Sequence, residues 1–240
     1  MNTFLFGIYP YICLAVFVLG SIVRYDREPY TWRSGSSQLL RRRQLIWGSV
    51  LFHVGILIVF LGHFVGLLTP IEVFDAMGIG HGFKQVMAVV VGGIAGVVCL
   101  IGALMLLHRR LFDSRVRAVS SFSDTAILII LTVQLVLGLL TIFVSLGHLD
   151  GEEMVKFMAW ALGIFTFQAG AADFVADTAF IFKLHLFLGL TILLIFPFTR
   201  LVHMLSAPVR YIWRPGYQIV RTRLAATGAA RDRASWGAAE

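Results

Sequence analysis

Five stretches of the chain run almost without a polar side chain, at roughly 4–22, 45–68, 86–107, 126–146 and 179–198. A helix needs about 20 apolar residues to cross the hydrocarbon core of a bilayer, so each stretch is long enough to span one. The pattern predicts an all-α membrane protein, a bundle of five transmembrane helices. A sixth stretch, 152–167, is apolar but short and opens on Glu152, Glu153 and Lys156. It reads as an interfacial helix on the outer side, with Trp160 at the level of the lipid headgroups.

Composition supports this and adds an orientation. Hydrophobic side chains make up 58% of the 240 residues, charged ones 14%, and the mean hydropathy is +0.85. That excludes a water-soluble domain. The net charge of +7 is no nucleic-acid signal, because the cations lie between apolar spans and form no continuous basic groove. Of the 20 Lys and Arg, 17 fall on one side of a five-span topology: six Arg within 24–43, four within 109–117, then Arg200 and six more in the tail. Lys84, Lys156 and Lys183 fall on the other. The positive-inside bias predicts an outer N-terminus and a cytoplasmic C-terminus. A sixth crossing would reverse the tail.

Residues 1–7 carry no basic n-region and no small-residue cleavage site follows, so the first span is expected to remain in place. The expected division is a membrane domain over 1–204 and a basic cytoplasmic tail over 205–240. The Ala-, Gly- and Arg-rich part after Pro215 is expected to be mobile or to order only on a partner. Cys13 and Cys99 each lie within an apolar run and read as packing residues. With two cysteines and no CxxCH, the chain can supply neither a four-thiolate cluster nor a covalent haem attachment.

Ionisable groups inside a membrane are costly and point to function. Four of the seven His occupy the spans or their ends: His53 and His63 on the second, His185 and His203 on the fifth. The two helices run antiparallel, so His53 and His203 share the cytoplasmic depth while His63 and His185 share the outer one. Imidazole suits iron, and an apolar porphyrin disc fits between helices, so the arrangement points to two bis-His haems. The ten residues from His53 to His63 rise about 15 Å and the eighteen from His185 to His203 about 27 Å, a mismatch that tilt or ligand offset must absorb. Gly48, Gly55, Gly62 and Gly66 form a stripe that admits either a neighbouring backbone or a flat ring.

A haem with both axial positions filled carries single electrons and leaves bond chemistry elsewhere. Electrons must then leave to a cytoplasmic partner, since the chain has no cluster or nucleotide motif of its own. A quinol site is expected near His63, with Lys84 at the outer start of the third span as its polar group or, alternatively, as a snorkelling anchor. His81, His108 and His148 read as surface residues, with His81 able to assist proton exit. Arg109 and Arg110 border the inner haem depth and read equally as propionate partners or as positive-inside anchors.

At these residues the sequence resembles the gamma (cytochrome b) subunits of membrane-bound respiratory nitrate reductases. The likeness runs from about 8 to 211: IYPYI at 8–12, RYD at 24–26, YTWR at 30–33, LFHVGIL at 51–57, GHFVGLLTP at 62–70 and KQVMA at 84–88. It continues with RRLF at 109–112, HLDG at 148–151, AFIFKLHLFLG at 179–189 and FPFTRLVH at 196–203. The resemblance implies an outer haem b on His63 and His185, an inner haem b on His53 and His203, and a quinol beside Lys84 and Gly66. It also implies a cytoplasmic iron–sulfur beta subunit, a molybdenum-containing alpha subunit that reduces nitrate, and residence in the bacterial inner membrane. The 70–84 link and the tail match the family least. Competing readings are a di-haem subunit of a sulfite- or heterodisulfide-reducing complex, a transporter whose His relay protons, and a haem chaperone. The transporter would lack haem absorbance, and a chaperone would keep one axial position exchangeable.

Overall fold

The computed structural model describes residues 1–32, 40–147 and 149–206. Eight α-helices carry them: α1 Tyr9–Arg27, α2 Arg42–Leu68, α3 Ile71–Ala76, α4 His81–Phe112, α5 Ser114–Ala118, α6 Phe122–Ser145, α7 Glu152–Phe165 and α8 Phe180–Ile195. No β-strand occurs among the described residues.

Five helical stretches are long and apolar enough to cross a bilayer: Phe4–Arg27, Arg42–Leu68, His81–Phe112, Phe122–Ser145 and Phe180–Phe198. They match the five apolar runs, but several extend further, and α4 takes in Lys84 at one end and His108 to Arg110 at the other. Hydropathy cannot register such ends, because helical hydrogen bonding continues through polar residues beyond the apolar core. The tail beyond residue 206 lies outside the described residues.

The spans pack in the order α2, α4, α6, α8, α1, each mainly against the next. The α2–α4 contact is the closest. A Cβ at Gly102 would fall 2.3 Å from the Phe52 backbone nitrogen, and one at Gly55 would fall 2.6 Å from that of Cys99. Half of the glycine stripe therefore serves helix packing: Gly48 and Gly55 meet α4. Gly62 and Gly66 have nothing within 4 Å of an added Cβ.

Two features differ from the sequence expectation. The 14-residue α7 does not cross the bundle, as expected, but Trp160 is no headgroup anchor. Its ring is 6% exposed, packed with Phe6, Cys13, Ile164 and Val175, and its Nε1–H donates to the Phe6 carbonyl at 2.9 Å. An indole that finds a core and an acceptor has no reason to face the interface. The second difference lies at the end of α8. The helix stops at Ile195, and two 3₁₀ segments follow, Phe196–Phe198 and Arg200–Ser206, separated by Thr199 in extended conformation. Pro197 has no N–H and cannot prolong the α-helical ladder. His203 thus stands on a separate segment and not on a continuous helix.

Candidate functional site

That break changes the comparison of the two helical steps. From His185 to Ile195 the helix climbs ten residues, about 15 Å, equal to the step from His53 to His63 on α2. Beyond Ile195 the chain leaves the α-helix, and the His203 ring lies beside that of His53.

At the end of the bundle that holds Lys84, the rings of His63 and His185 stand 6.2 Å apart between centroids, at 45°. His63 Nδ1–H donates to the Val59 carbonyl one turn earlier, at 2.8 Å, which leaves Nε2 available. His185 Nδ1 is buried without a hydrogen-bond partner. The Gln134 amide nitrogen donates to the His185 carbonyl at 3.0 Å and lies 3.4 Å from its Nε2. Gly138 faces the same ring, where a Cβ would come within 3.0 Å of Cε1.

At the arginine-rich end, His53 and His203 stand 6.4 Å apart between centroids, at 67°. His53 Nδ1–H donates to the Ser49 carbonyl at 2.7 Å, and His203 Nδ1–H to the Arg200 carbonyl at 2.5 Å. In both, the fixed tautomer leaves Nε2 with its lone pair, the arrangement by which proteins prepare an imidazole for a metal.

Residues of this kind fit haem iron. A metal bound to imidazole nitrogens at ~2.0–2.1 Å on opposite sides would hold the two ring centres roughly 6 Å apart. Among the described residues no group of three or more His, Cys, Asp or Glu gathers as a metal site. Imidazoles arranged in twos would suit a metal carried by a macrocycle, which would supply the remaining donors.

Beside the first pair, Lys84 is 4% exposed and does not snorkel. Its Nζ lies 3.2 Å from the Gly66 carbonyl, 2.8 Å from Met158 Sδ and 3.8 Å from the centre of the Phe74 ring. Lys84 and Gly66 therefore meet, one turn beyond His63 on α2. Among the described residues no carboxylate pairs with the ammonium. Lysine carries three donors, so one remains for a ligand.

The other candidates are dispersed. His81 Nε2 sits 2.9 Å from Asp75 Oδ1, His108 Nδ1 is 3.3 Å from the Gln44 amide, and His148 lies outside the described residues. Arg109 donates to the Leu40 carbonyl at 2.7 Å, while Arg110 and Arg200 flank Asp124 at 3.5 and 3.6 Å. The sequence reading missed Gln134, although a lone amide in the apolar run of α6 was a legible signal. Met158 and Phe74 gave none, being apolar residues among many.

Comparison with known proteins accords with this geometry. The sequence model of the family described as nitrate reductase gamma subunit matches residues 2–223. The chain is 51% identical to the respiratory nitrate reductase 1 gamma chain of Escherichia coli K12, over 93% of this chain and 98% of that one. It is 36% identical to the nitrate reductase gamma chain of Bacillus subtilis, over 91% and 97%. A more distant relative, 27% identical over 83% of this chain and 76% of its own, is the cytochrome b-like subunit of an Hdr-like menaquinol oxidoreductase from Archaeoglobus fulgidus.

Proposed function

Because the chain belongs to the nitrate reductase gamma subunit family, as the membrane cytochrome b-like subunit of a respiratory nitrate reductase, we propose that it oxidises quinol near the outer face of the inner membrane and passes the electrons inward through two haems b. They would leave to an iron–sulfur beta subunit and reach a molybdenum-containing alpha subunit that reduces nitrate. In this reading the Lys84 end faces outward, the arginine-rich end faces the cytoplasm, and 205–240 is a basic tail on the partner side. The observation that carries it is the pairing of four imidazoles at two depths, 6.2 and 6.4 Å between ring centres.

Bound between such imidazoles, each haem supplies reversible one-electron transfer. His63 and His185 would hold the outer group and His53 and His203 the inner one, each ring aimed by its hydrogen bonds or by close packing. Lys84 would use its remaining donor on a quinol oxygen. Oxidation of quinol to quinone releases two electrons and two protons, and an ammonium at that oxygen favours the deprotonated form from which electrons leave. Gly66, without a side chain, leaves the ring room beside α2 while its carbonyl holds the ammonium in place. Protons released at this end and electrons delivered to the other separate charge across the membrane.

The first test is a dithionite-reduced minus oxidised spectrum of the purified complex, with haem per gamma chain measured as pyridine haemochrome. Two b-type haems per chain are expected. None would overturn the electron-transfer reading and leave a histidine-containing transporter in its place.

A further inference from the structure

The two imidazole pairs are not built alike, and one element serves the inner pair alone. The inner His203 stands on a 3₁₀ segment that follows the break at Pro197. A break of this kind frees carbonyls that the helix would otherwise satisfy. Arg24, near the end of α1, takes them. Its Nη1 donates to the Pro197 carbonyl at 2.6 Å and to the Thr199 carbonyl at 2.8 Å. The rest of the guanidinium is anchored from behind. Nη2 donates to the Thr31 carbonyl at 3.0 Å and Nε to Thr31 Oγ1 at 3.3 Å.

Neighbouring residues fit the same seat. Gly20, one turn before Arg24, lies so close to Pro197 that a Cβ there would come within 2.9 Å of its ring. Thr199 Oγ1 accepts the Leu201 N–H at 3.2 Å and donates to the Phe196 carbonyl at 3.0 Å, starting the segment that carries the ligand. Val202 is wholly buried, and Phe196 and Leu201 nearly so. His203 then donates to Arg200, the residue that follows Thr199. From the guanidinium to the imidazole the connection runs through Thr199, Arg200 and His203.

We infer that Arg24 is a positioning residue for the inner haem: its planar fork, anchored on Thr31, clamps the Pro197 and Thr199 carbonyls and so sets the height and angle at which His203 meets His53. The inference rests on the reading of His203 as an inner-haem ligand. A guanidinium is needed because one planar group must face two carbonyls and Thr31 at once, which a lysine's single ammonium does not do. Arg24 therefore has a second task besides the positive charge that marks its side of the membrane.

The test uses the intact complex in membranes, with Arg24→Ala and Arg24→Lys compared with the unaltered protein. Each haem is followed by redox titration and by its low-spin EPR g-values. For Arg24→Ala, the inner haem should shift in potential and g-values and lose affinity on the order of ten-fold, the scale of removing a partner that orients a metal ligand. The outer haem, held by His63 and His185, should not move, and so reports on folding. Arg24→Lys keeps the charge and should still show the inner shift. An unchanged inner haem in Arg24→Ala, equal shifts in both haems, or full restoration by lysine each overturns the assignment. If Arg24→Ala does not assemble, Arg24→Lys alone decides on the same readouts. Should the unaltered protein lack two b-type haems, the failure lies in the electron-transfer reading and is seen before any variant is compared.

Discussion

The outer pair of imidazoles hangs on two uninterrupted helices, whereas the inner pair joins a helix to a short segment beyond a proline break. The outer pair has a buried lysine nearby on α4, whose ammonium meets the carbonyl of Gly66, one turn along α2 from His63. The contrast separates two demands on one scaffold. The proposed quinol end would need space and a hydrogen-bond donor, and there Gly62 and Gly66 leave room on a regular helix beside the buried Lys84. At the other depth the proposed ligand His203 follows a helix break, and Arg24 binds two carbonyls beside that break. Rigidity comes from α-helical repetition in one case and from side chains bonded to freed carbonyls in the other.

The strongest way to break this comparison is to remove one ligand from each pair. His63→Leu or His185→Leu should delete the outer haem, keep the inner one and lower quinol-driven nitrate reduction by more than the ~10–100-fold typical of losing only a ligand's hydrogen-bond partner. His53→Leu should delete the inner haem while the outer one remains reducible by quinol. Haem counted per chain, with potentials titrated separately, checks both. Loss of both haems in every variant would mean that the pairs are not independent sites.

Next in size is Lys84→Ala. A hydrogen bond from a charged donor contributes roughly 1.5–3 kcal/mol, so turnover at low quinol concentration should fall about 10–100-fold while both haems stay at full occupancy. Unchanged quinol kinetics would remove Lys84 from the site and leave its burial a matter of packing. Smaller again is Gln134→Leu. It deletes the donor to the His185 carbonyl, and the outer haem should shift in potential or weaken by on the order of ten-fold, with the inner haem unaltered. A shift in both would show that α6 supports the two sites jointly.

Much of this arrangement was legible in the sequence, and the reasons are physical. The five spans are visible because a bilayer demands long apolar runs. His53, His63, His185 and His203 stand out because imidazoles are rare there, and the structure brings them together in the pairs that depth suggested. Less was legible where one residue type has several uses. Pro197 lies in a run apolar enough to read as one helix, and its missing N–H and the mismatch of about 12 Å in rise were the hints that the helix stops. Arg24 looked like one more topology signal. Gly48 and Gly55 share a stripe with Gly62 and Gly66, yet the first two pack against α4 and the last two do not. Sequence spacing shows that a face is smooth but not what lies against it.

Trp160 offers the smallest and most local test, because it separates the scaffold from both sites. Its indole N–H donates to the Phe6 carbonyl within the cluster that joins α7 to the start of the chain. Trp160→Phe keeps most of the apolar area and removes that donor, leaving a buried carbonyl without it. The cost should be about 1–3 kcal/mol. For a chain of this length that corresponds to a fall in Tm of about 2–4 °C per kcal/mol, measurable on the detergent-solubilised complex. Haem content, both potentials and quinol turnover should stay unchanged, since the cluster contains none of the four imidazoles. If the outer haem shifted instead, α7 would have to be counted among the elements that shape the quinol site through Met158, the neighbour of Lys84 two residues before Trp160. The outer pair would then depend on an added support just as the inner pair depends on Arg24, and the difference between the two ends of the bundle would narrow.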